Sequence, residues 1–322
     1  MKFRTEIDHT ELSAKIDYGT NILALGSCFA QSIAERLSAA KFRIELCPTG
    51  ILFNPASIAD TLLFFASQSP AERSRFVERS EGWVSLDSHS DLARPTIEEA
   101  ISALESATAR GHQALQSAQC VIITFGTAWV YRHNDSGKIV ANCHKVPQSE
   151  FTRFRLSVEE IVALYKPLFE GILSDKQVIF TLSPVRHTAD GLAENSLSKA
   201  TLRVAIAELC ALYPNAEYFP AYEIVTDDLR DYRFYADDLV HPSHRAVEYI
   251  WEHFTKAALS PRAQALLPRV KQVVDAAAHR PSNPTSEAYR NFCSRYLQEA
   301  KAIAEVDFSD ECAIFERYSV KS

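Results

Sequence analysis

Five short apolar runs, each separated from the next by a segment with helical spacing of apolar residues, constrain the fold of this chain most strongly. Each run has the length of one buried strand, and the intervening segments show the 3.6-residue period of amphipathic helices. Strands that alternate with helices predict an α/β fold, in which helices cover both faces of a mostly parallel sheet. The five runs are 21–25, 42–46, 120–126, 177–184 and 216–222.

The composition limits the classes of protein to which the chain can belong. Apolar residues make up 47% and charged residues 23% of its 322 residues, as in soluble globular proteins. The formal net charge of −7 argues against a nucleic-acid partner, which favours a basic surface. No apolar run reaches the length of about 18 residues that a membrane span needs. The N-terminal stretch 1–19 has no apolar signal core, so we expect a cytoplasmic protein.

The cysteines give no sign of a disulfide framework or of a metal site. There are seven, scattered and without a C-x-x-C pair, which fits free thiols in a reducing compartment. A metal site built from Cys143, His144, His187 and His241 would use adjacent ligands and no spaced pair. We therefore expect neither a metal nor another cofactor.

An insertion follows the third apolar run. Two β-rich stretches flank the turn-forming residues 134–137, which predicts a β-hairpin over Trp129–Pro147. Side chains alternate along a strand, so Asn142 and His144 are expected on the same face of this hairpin, close to the site.

The strand patterns stop near the end of the chain. From Pro261 onward the sequence shows helical patterns interrupted by a Pro-rich joint. We therefore predict a sheet domain over residues 1–258, with the hairpin insertion at 129–147, and a C-terminal helical extension over 259–322.

Small and chemically active residues follow the predicted strands. Ligands bind at the carboxyl ends of the strands in open parallel sheets, so the residues after each run are candidates for a site. Glycines at this edge suit an oxyanion site, and Ser27 and Cys28 add two nucleophilic side chains. The candidates after the first four runs are Gly26, Ser27, Cys28, Gly50, Gly126, Arg186 and His187.

An Asp-x-x-His turn follows the last apolar run. Asp238 and His241 stand three residues apart, directly before Pro242 and a helical pattern. This spacing lets the carboxylate accept the Nδ1–H of the imidazole, which fixes the tautomer and leaves Nε2 facing a nucleophile.

Several sequence blocks carry a resemblance to one family. "GSCFA" at residues 26–30 resembles the signature of the GSCFA family of bacterial proteins, and the layout of the strand ends resembles the wider SGNH (GDSL-type) hydrolases. The resemblance covers roughly residues 20–255. The other blocks are "PTGILFNP", "FGTAWVY", "ANCHKVP", "LSPVRH", "NSLSK" and "DYRFYADDLVHPS".

The resemblance implies both a fold and a reaction class. The fold is a three-layer SGNH-hydrolase-like (flavodoxin-like) parallel sheet with helices on both faces. The activity is that of an enzyme, an acyl-ester hydrolase or acyltransferase that works through a covalent acyl-enzyme. A carbohydrate or a small acylated metabolite is the expected substrate by analogy. The alternative is a catalytically degenerate SGNH fold that binds a glycan or an acylated metabolite.

The resemblance also assigns the nucleophile and its base. It aligns Cys28 with the family's nucleophilic serine, and Ser27 takes that role if the turn is rotated by one residue. His241 is then the general base and Asp238 orients it. A thiol at a helix start that faces a histidine is expected to have a lowered pKa.

The oxyanion and substrate contacts follow from the same resemblance. Ala128 stands where the SGNH pattern has an asparagine, so the amide of Asn142 is expected to replace it. The backbone N–H groups of Cys28, Gly50 and Gly126 complete the predicted oxyanion site. Four residues are assigned to substrate binding, with Arg186 as the clamp for an anionic group: Asn54, His144, Arg186 and His187.

Overall fold

A computed structural model of the chain describes residues 4–8, 10–80 and 82–319. The first residues of the polar N-terminal stretch, on which the prediction of no signal segment depends, lie outside this part. Among the helices of the described residues, none is long and apolar enough to cross a membrane.

Strands and helices alternate from Ile22 to Ala258 apart from two hairpins, and the described residues after Ala258 are mainly helical. The strands are β1 (Ile22–Gly26), β2 (Ile44–Leu46), β3 (Phe76–Arg79), β4 (Gly82–Ser85), β5 (Cys120–Phe125), β6 (Trp129–His133), β7 (Phe151–Arg155), β8 (Gln177–Leu182) and β9 (Ala216–Phe219). The helices are α1 (Cys28–Ala39), α2 (Pro55–Ser67), α3 (Ile97–Ser117), α4 (Val158–Phe169), α5 (Leu192–Leu212), α6 (Ala221–Glu223), α7 (His244–Ala258), α8 (Pro261–Ala278), α9 (Glu287–Ala302) and α10 (Ser309–Ser319).

A five-stranded parallel sheet forms the centre of the molecule, in the order β2-β1-β5-β8-β9. Its strands are the five that the apolar runs predict, so the α/β fold is confirmed. This strand order is that of a doubly wound sheet, in which the chain turns back between β1 and β5. Ligands of such sheets bind in the crevice at that point, beyond the carboxyl ends of the two strands.

Each face of the sheet packs against its own set of helices. Ile22 and Ala24 of β1 contact a core that includes side chains of α1, α7 and α8. Leu23 and Leu25 belong to a second core with side chains of α2, α4 and α5. Because both faces are buried, the strands are apolar at nearly every position, which is why the sequence shows continuous runs rather than alternation.

A two-stranded hairpin lies between α2 and α3. β3 and β4 pair antiparallel, with Phe76 opposite Ser85. The sequence shows no clear period in 71–91, and no strand is predicted there. The reason is that each strand has only four residues and several of these are polar.

The insertion after β5 is a hairpin, but its second strand is not the predicted one. β6 pairs along its length with β7, whereas the segment around Ile139 makes only one isolated bridge, to Arg132. The prediction of a hairpin closed at Pro147 is therefore wrong. Cation–π contacts favour the observed pairing, because Arg153 lies 4.0 Å from the ring of Trp129.

The C-terminal helices pack on the sheet. Cys293 of α9 and Phe315 of α10 are fully buried in the same core as α1 and β1. An ion pair of 2.9 Å joins Lys41, just after α1, to Glu311 of α10. The C-terminal helices therefore complete the cover of one face of the sheet.

Candidate active site

The turn between β1 and α1 presents Ser27 and Cys28 at the chain reversal of the sheet. Gly26 has a φ of 135°, and a Cβ at this position would overlap the carbonyl oxygen of Thr124. Only glycine fits there, so the strand ends sharply and the next residue caps the helix. Ser27 is 2% exposed, and its hydroxyl has no hydrogen-bond partner within the described residues. Cys28 is the first residue of α1 and is partly exposed.

The thiol of Cys28 does not have the lowered pKa that we expect from its position at the helix start. Burial raises the pKa of Cys28, and the backbone N–H of the same residue lowers it by less. The prediction of a resting thiolate is therefore wrong. A nucleophilic Cys28 has to lose its proton to a base during the attack.

Asp238 and His241 form the contact that their spacing predicts. His241 Nδ1 lies 2.6 Å from Asp238 Oδ2, and the other carboxylate oxygen accepts the backbone N–H groups of His241 (3.0 Å) and Val240 (2.9 Å). These backbone N–H groups and the imidazole lower the pKa of Asp238 to about 2. Leu239 adopts a positive φ of 58° to close the turn. The carboxylate is thus ionised and oriented, while the catalytic role of the pair stays a prediction.

His187 extends from the loop after β8 toward the turn of Ser27. A Cβ at Gly126 would lie 3.3 Å from Ser27 Cβ and 3.5 Å from His187 Nε2, so both side chains line the space that this glycine leaves open. Burial, then the charge of Lys199, then His241 lower the pKa of His187 to about 4. His187 is therefore a neutral imidazole near pH 7. His187 therefore lies near the Ser27 turn and is close enough to His241 for their charges to interact.

Lys199 is a site residue that sequence analysis missed. It is 2% exposed, and its Nζ donates hydrogen bonds to the carbonyl oxygens of Gly126 (2.6 Å) and Ser183 (2.7 Å). Burial lowers the pKa of Lys199 to about 7. One turn earlier on α5, Asn195 Oδ1 accepts the backbone N–H of His187 at 2.9 Å. The signal was the polar pair at i and i+4 within "NSLSK", near the start of an otherwise apolar helix face.

Two predicted oxyanion donors have their N–H groups engaged elsewhere. The N–H of Gly50 donates to Cys47 O at 2.7 Å, and that of Gly126 donates to Phe53 O at 2.9 Å. Both predictions are wrong for this geometry. Gly50 is required instead for packing, because its φ is 83° and a Cβ would overlap the side chain of His89.

Asn142 and His144 lie beside β4 rather than on a strand of the insertion. Asn142 Oδ1 accepts the backbone N–H of His144 at 2.9 Å. The buried imidazole of His144 has its Nε2 2.9 Å from Ser85 O and 3.1 Å from Ser88 O. His144 has a positive φ of 48°, so strand alternation does not apply and the predicted shared face is wrong. These contacts attach the segment to β4 and give no support for a role at the oxyanion.

The remaining two predicted substrate residues have different surroundings. Asn54 caps α2, with Oδ1 accepting the N–H of Ser57 at 2.8 Å and Nδ2 donating to its hydroxyl at 3.0 Å. These bonds engage both ends of its buried amide, and they account for Asn54 without a substrate. The guanidinium of Arg186 instead stacks on the rings of Tyr235 (4.2 Å) and Tyr232 (5.2 Å), and pairs with no carboxylate of the described residues.

The loops that carry His187 and His241 are joined to each other. The backbone N–H of Arg186 donates to Val240 O at 3.2 Å, and that of Ala236 donates to His241 O at 2.8 Å. The two histidines therefore share one support at the carboxyl edge of the sheet.

The fold and the site define a doubly wound α/β protein with an Asp–His pair at the carboxyl edge of its parallel sheet. The chain belongs to the GSCFA family, whose model matches residues 21–254. A second model, described as the C-terminal domain of GSCFA domain proteins, matches residues 270–319. A comparison with curated proteins finds no match.

Proposed function

We propose that this protein has the three-layer SGNH type of fold and is an acyl-ester hydrolase or acyltransferase that works through a covalent acyl-enzyme. The observation that carries the proposal is the 2.6 Å contact of His241 with Asp238, at the sheet edge where β1 presents Cys28. A carbohydrate ester or a small acylated metabolite is the proposed substrate, by analogy with the superfamily that the chain resembles.

In the proposed reaction, Cys28 Sγ attacks the ester carbonyl while His241 Nε2 removes the thiol proton. His241 then protonates the departing alkoxide, which leaves as an alcohol, and a thioester remains on Cys28. Water or an acceptor alcohol attacks this thioester and gives its proton to His241. His241 returns that proton to the Cys28 sulfur as the acid or the new ester leaves. Asp238 holds the Nδ1–H tautomer and stabilises the imidazolium that forms twice in the cycle.

We assign to His187 the oxyanion contact that the sequence predicts for Asn142. Its imidazole is neutral near pH 7 and lies next to Gly126 and Ser27, so it can donate one hydrogen bond to a developing negative charge. The N–H of Cys28 at the first position of α1 is the second donor. The guanidinium of Arg186, next to His187 in the chain, has no carboxylate partner among the described residues and binds an anionic group of the substrate.

Hydrolysis of p-nitrophenyl butyrate by single variants tests these roles. Cys28→Ala should abolish the release of p-nitrophenol, while Ser27→Ala retains it. Asp238→Asn should lower the rate by up to about 10⁴-fold. Asp238→Asn combined with His241→Ala should be little worse than His241→Ala alone, because the pair acts as a unit. Multiplicative losses in the double variant, or loss of activity in Ser27→Ala with retention in Cys28→Ser, contradict the assignment.

A binding function is the second candidate, and the partial burial of Cys28 favours it. The pKa of the thiol is raised, and the N–H groups of Gly50 and Gly126 are engaged within the protein. In this reading the same cleft binds a glycan or an acylated metabolite without turning it over. Saturable binding of an acetylated sugar, with no product over hours and no effect of Cys28→Ala, favours this second function.

A further inference from the structure

A cavity of about 680 Å³ lies along one face of α2, apart from the proposed catalytic residues. Residues that flank the β3–β4 hairpin (Glu72, Arg75 and Asp87) and the segment 137–141 also line it, and Leu104 and Leu164 contribute apolar surface. A cavity of this volume has the size of a small-molecule site.

Specific polar contacts hold the residues that flank the hairpin in place. Arg75 is 2% exposed, and its Nε lies 3.1 and 3.0 Å from the two carboxylate oxygens of Asp87. The same guanidinium donates to the hydroxyl of Ser136 (2.9 Å) and to Ile139 O (3.1 Å). Because Arg75 joins the hairpin to the segment that faces α2, the cavity is a built feature of the fold.

The charged side chains that line the cavity have partners, with the exception of Asp60 among the described residues. Arg75 pairs with Asp87, and Lys138 pairs with Glu72 at 2.6 Å. The guanidinium of Arg132 lies 4.6 Å from the ring of Phe154.

Asp60 also lines the cavity, but it has no hydrogen bond or ion pair within the described part of the chain. Burial, followed by the carboxylate of Asp87, raises the pKa of Asp60. The charges of Arg75 and Lys138 lower this pKa by less, and both cations pair with other carboxylates, so Asp60 makes no direct ion pair among the described residues.

A buried hydroxyl gives independent evidence for a ligand. Thr49 lines the same cavity and is 1% exposed, and its Oγ1 has no hydrogen-bond partner among the described residues. A buried polar group without a partner is unfavourable for folding, and a ligand that supplies a partner removes this cost. Within the described residues no three His, Cys, Asp or Glu side chains come together as metal ligands, which favours an organic cation.

We propose that this cavity binds a primary ammonium compound with an apolar body and a hydroxyl or carbonyl group. The ammonium group pairs with the Asp60 carboxylate, where a hydrogen bond between charged groups is strong. The apolar body contacts Leu104 and Leu164, and the hydroxyl or carbonyl group bonds to Thr49 Oγ1. This binding does not depend on the proposed acyl transfer.

Two probes that differ only at the charged group test the proposal. Phenylalaninol carries an ammonium group, a hydroxyl and a phenyl ring, and 3-phenylpropane-1,2-diol replaces the ammonium by a hydroxyl. The isotope-labelled full chain is titrated with each probe and followed by NMR. Phenylalaninol should cause saturable chemical-shift changes at residues that line the cavity, and the diol should bind much more weakly. Asp60→Asn should weaken phenylalaninol binding by about tenfold or more. Asp310→Asn, an exposed carboxylate on α10, is the matched control and should bind as the wild type does.

Two further variants separate the possible results. Thr49→Val keeps the shape of the side chain and should weaken phenylalaninol binding while Thr49→Ser retains it, a comparison that holds even where Asp60→Asn folds poorly. Cys28→Ala should bind the probe normally, so failure of the proposed reaction leaves this inference untouched. Equal affinity for the two probes, unchanged binding in Asp60→Asn, or shifts confined to the surroundings of His241 overturn the proposal.

Discussion

A buried lysine, Lys199, and a half-buried histidine, His187, lie at the centre of the site. Lys199 ties the carbonyl oxygen of Gly126, after β5, to that of Ser183, after β8. Its charge also disfavours a second positive charge on His187, which carries the hydrogen-bond donor in the proposed reaction. Lys199 is thus a positioning residue that acts through its neighbours.

Replacing Lys199 should change the titration of His187. The pKa of His187 is about 4, so its imidazole becomes charged only when the pH falls toward 4, where Lys199 carries its own proton. Lys199→Met removes that charge and should raise the pKa of His187, whereas Lys199→Arg should keep it low. NMR titration of the imidazole resonances measures this directly and needs no substrate. An unchanged pKa of His187 in a folded Lys199→Met variant contradicts the electrostatic role.

The titration of His187 also affects the stability of the fold. Its pKa in the folded protein is depressed below the ordinary value of 6.5, so the folded state disfavours the protonated form. The unfolded chain takes up a proton first as the pH falls. His187 therefore lowers the stability of the fold progressively as the pH falls from about 6.5 toward 4, and contributes no such loss above that range.

Distance along the chain explains which site residues the sequence could predict. Asp238 and His241 are three residues apart, so the geometry of one turn determines their contact and the spacing is enough to predict it. Lys199 meets Gly126 across 73 residues, and no local pattern records that contact. The engaged N–H of Gly50 depends on a turn back to Cys47, which a pattern of glycines does not reveal.

At the scale of elements, Arg75 joins the β3–β4 hairpin to the segment after β6. Arg75→Met should lower the free energy of unfolding by about 1–3 kcal/mol, because the buried side chain loses its bonds to Asp87, Ser136 and Ile139. Arg75→Lys should recover part of this loss. Urea unfolding measures both. The control is Arg73→Met, which removes an exposed pair with Glu98 and should change stability by less than about 1 kcal/mol. Equal effects at the two arginines contradict the joining role of Arg75.

The elements also show where sequence patterns stop being informative. The central strands are predicted because both of their faces are buried and every position selects apolar residues. β7 contains two phenylalanines, two arginines and a threonine without strict alternation, and cross-strand contacts such as Arg153 with Trp129 support its pairing with β6. The competing segment around Ile139 is closer to β6 in the sequence than β7 is, and it also contains apolar residues. The local pattern alone therefore predicts the wrong partner strand.

At the scale of the whole molecule, the helices after residue 258 belong to the same core as the sheet. Phe315 of α10 is fully buried together with side chains of α1 and β1. Phe315→Ala should lower the stability of the whole chain by about 3–5 kcal/mol. Unfolding is followed by tryptophan fluorescence, to which Trp251 on α7 contributes, and by far-ultraviolet circular dichroism. The two transitions should shift together. A variant in which only part of the helical signal is lost early, while the fluorescence transition stays in place, contradicts a shared core.

The whole-molecule architecture was the part of the fold that the sequence specified best. The order of strands and helices follows from their periods, and a parallel sheet with helices on both faces is the arrangement that buries them. The packing of α9 and α10 on that sheet could not be predicted, because a helical period gives the apolar face of a helix but not the surface that it covers.

In the proposed reaction, Cys28 forms an acyl-enzyme with the help of His241. Mass spectrometry of the protein quenched in acid during turnover of p-nitrophenyl butyrate, followed by peptide mapping, detects this intermediate. We predict one butyryl group on the peptide that contains Cys28, which accumulates and then decays when the ester is exhausted. His241→Ala should fail to form it at a comparable rate. A butyryl group on Ser27, or an unmodified peptide while p-nitrophenol is released through a saturable reaction, would contradict a nucleophilic Cys28.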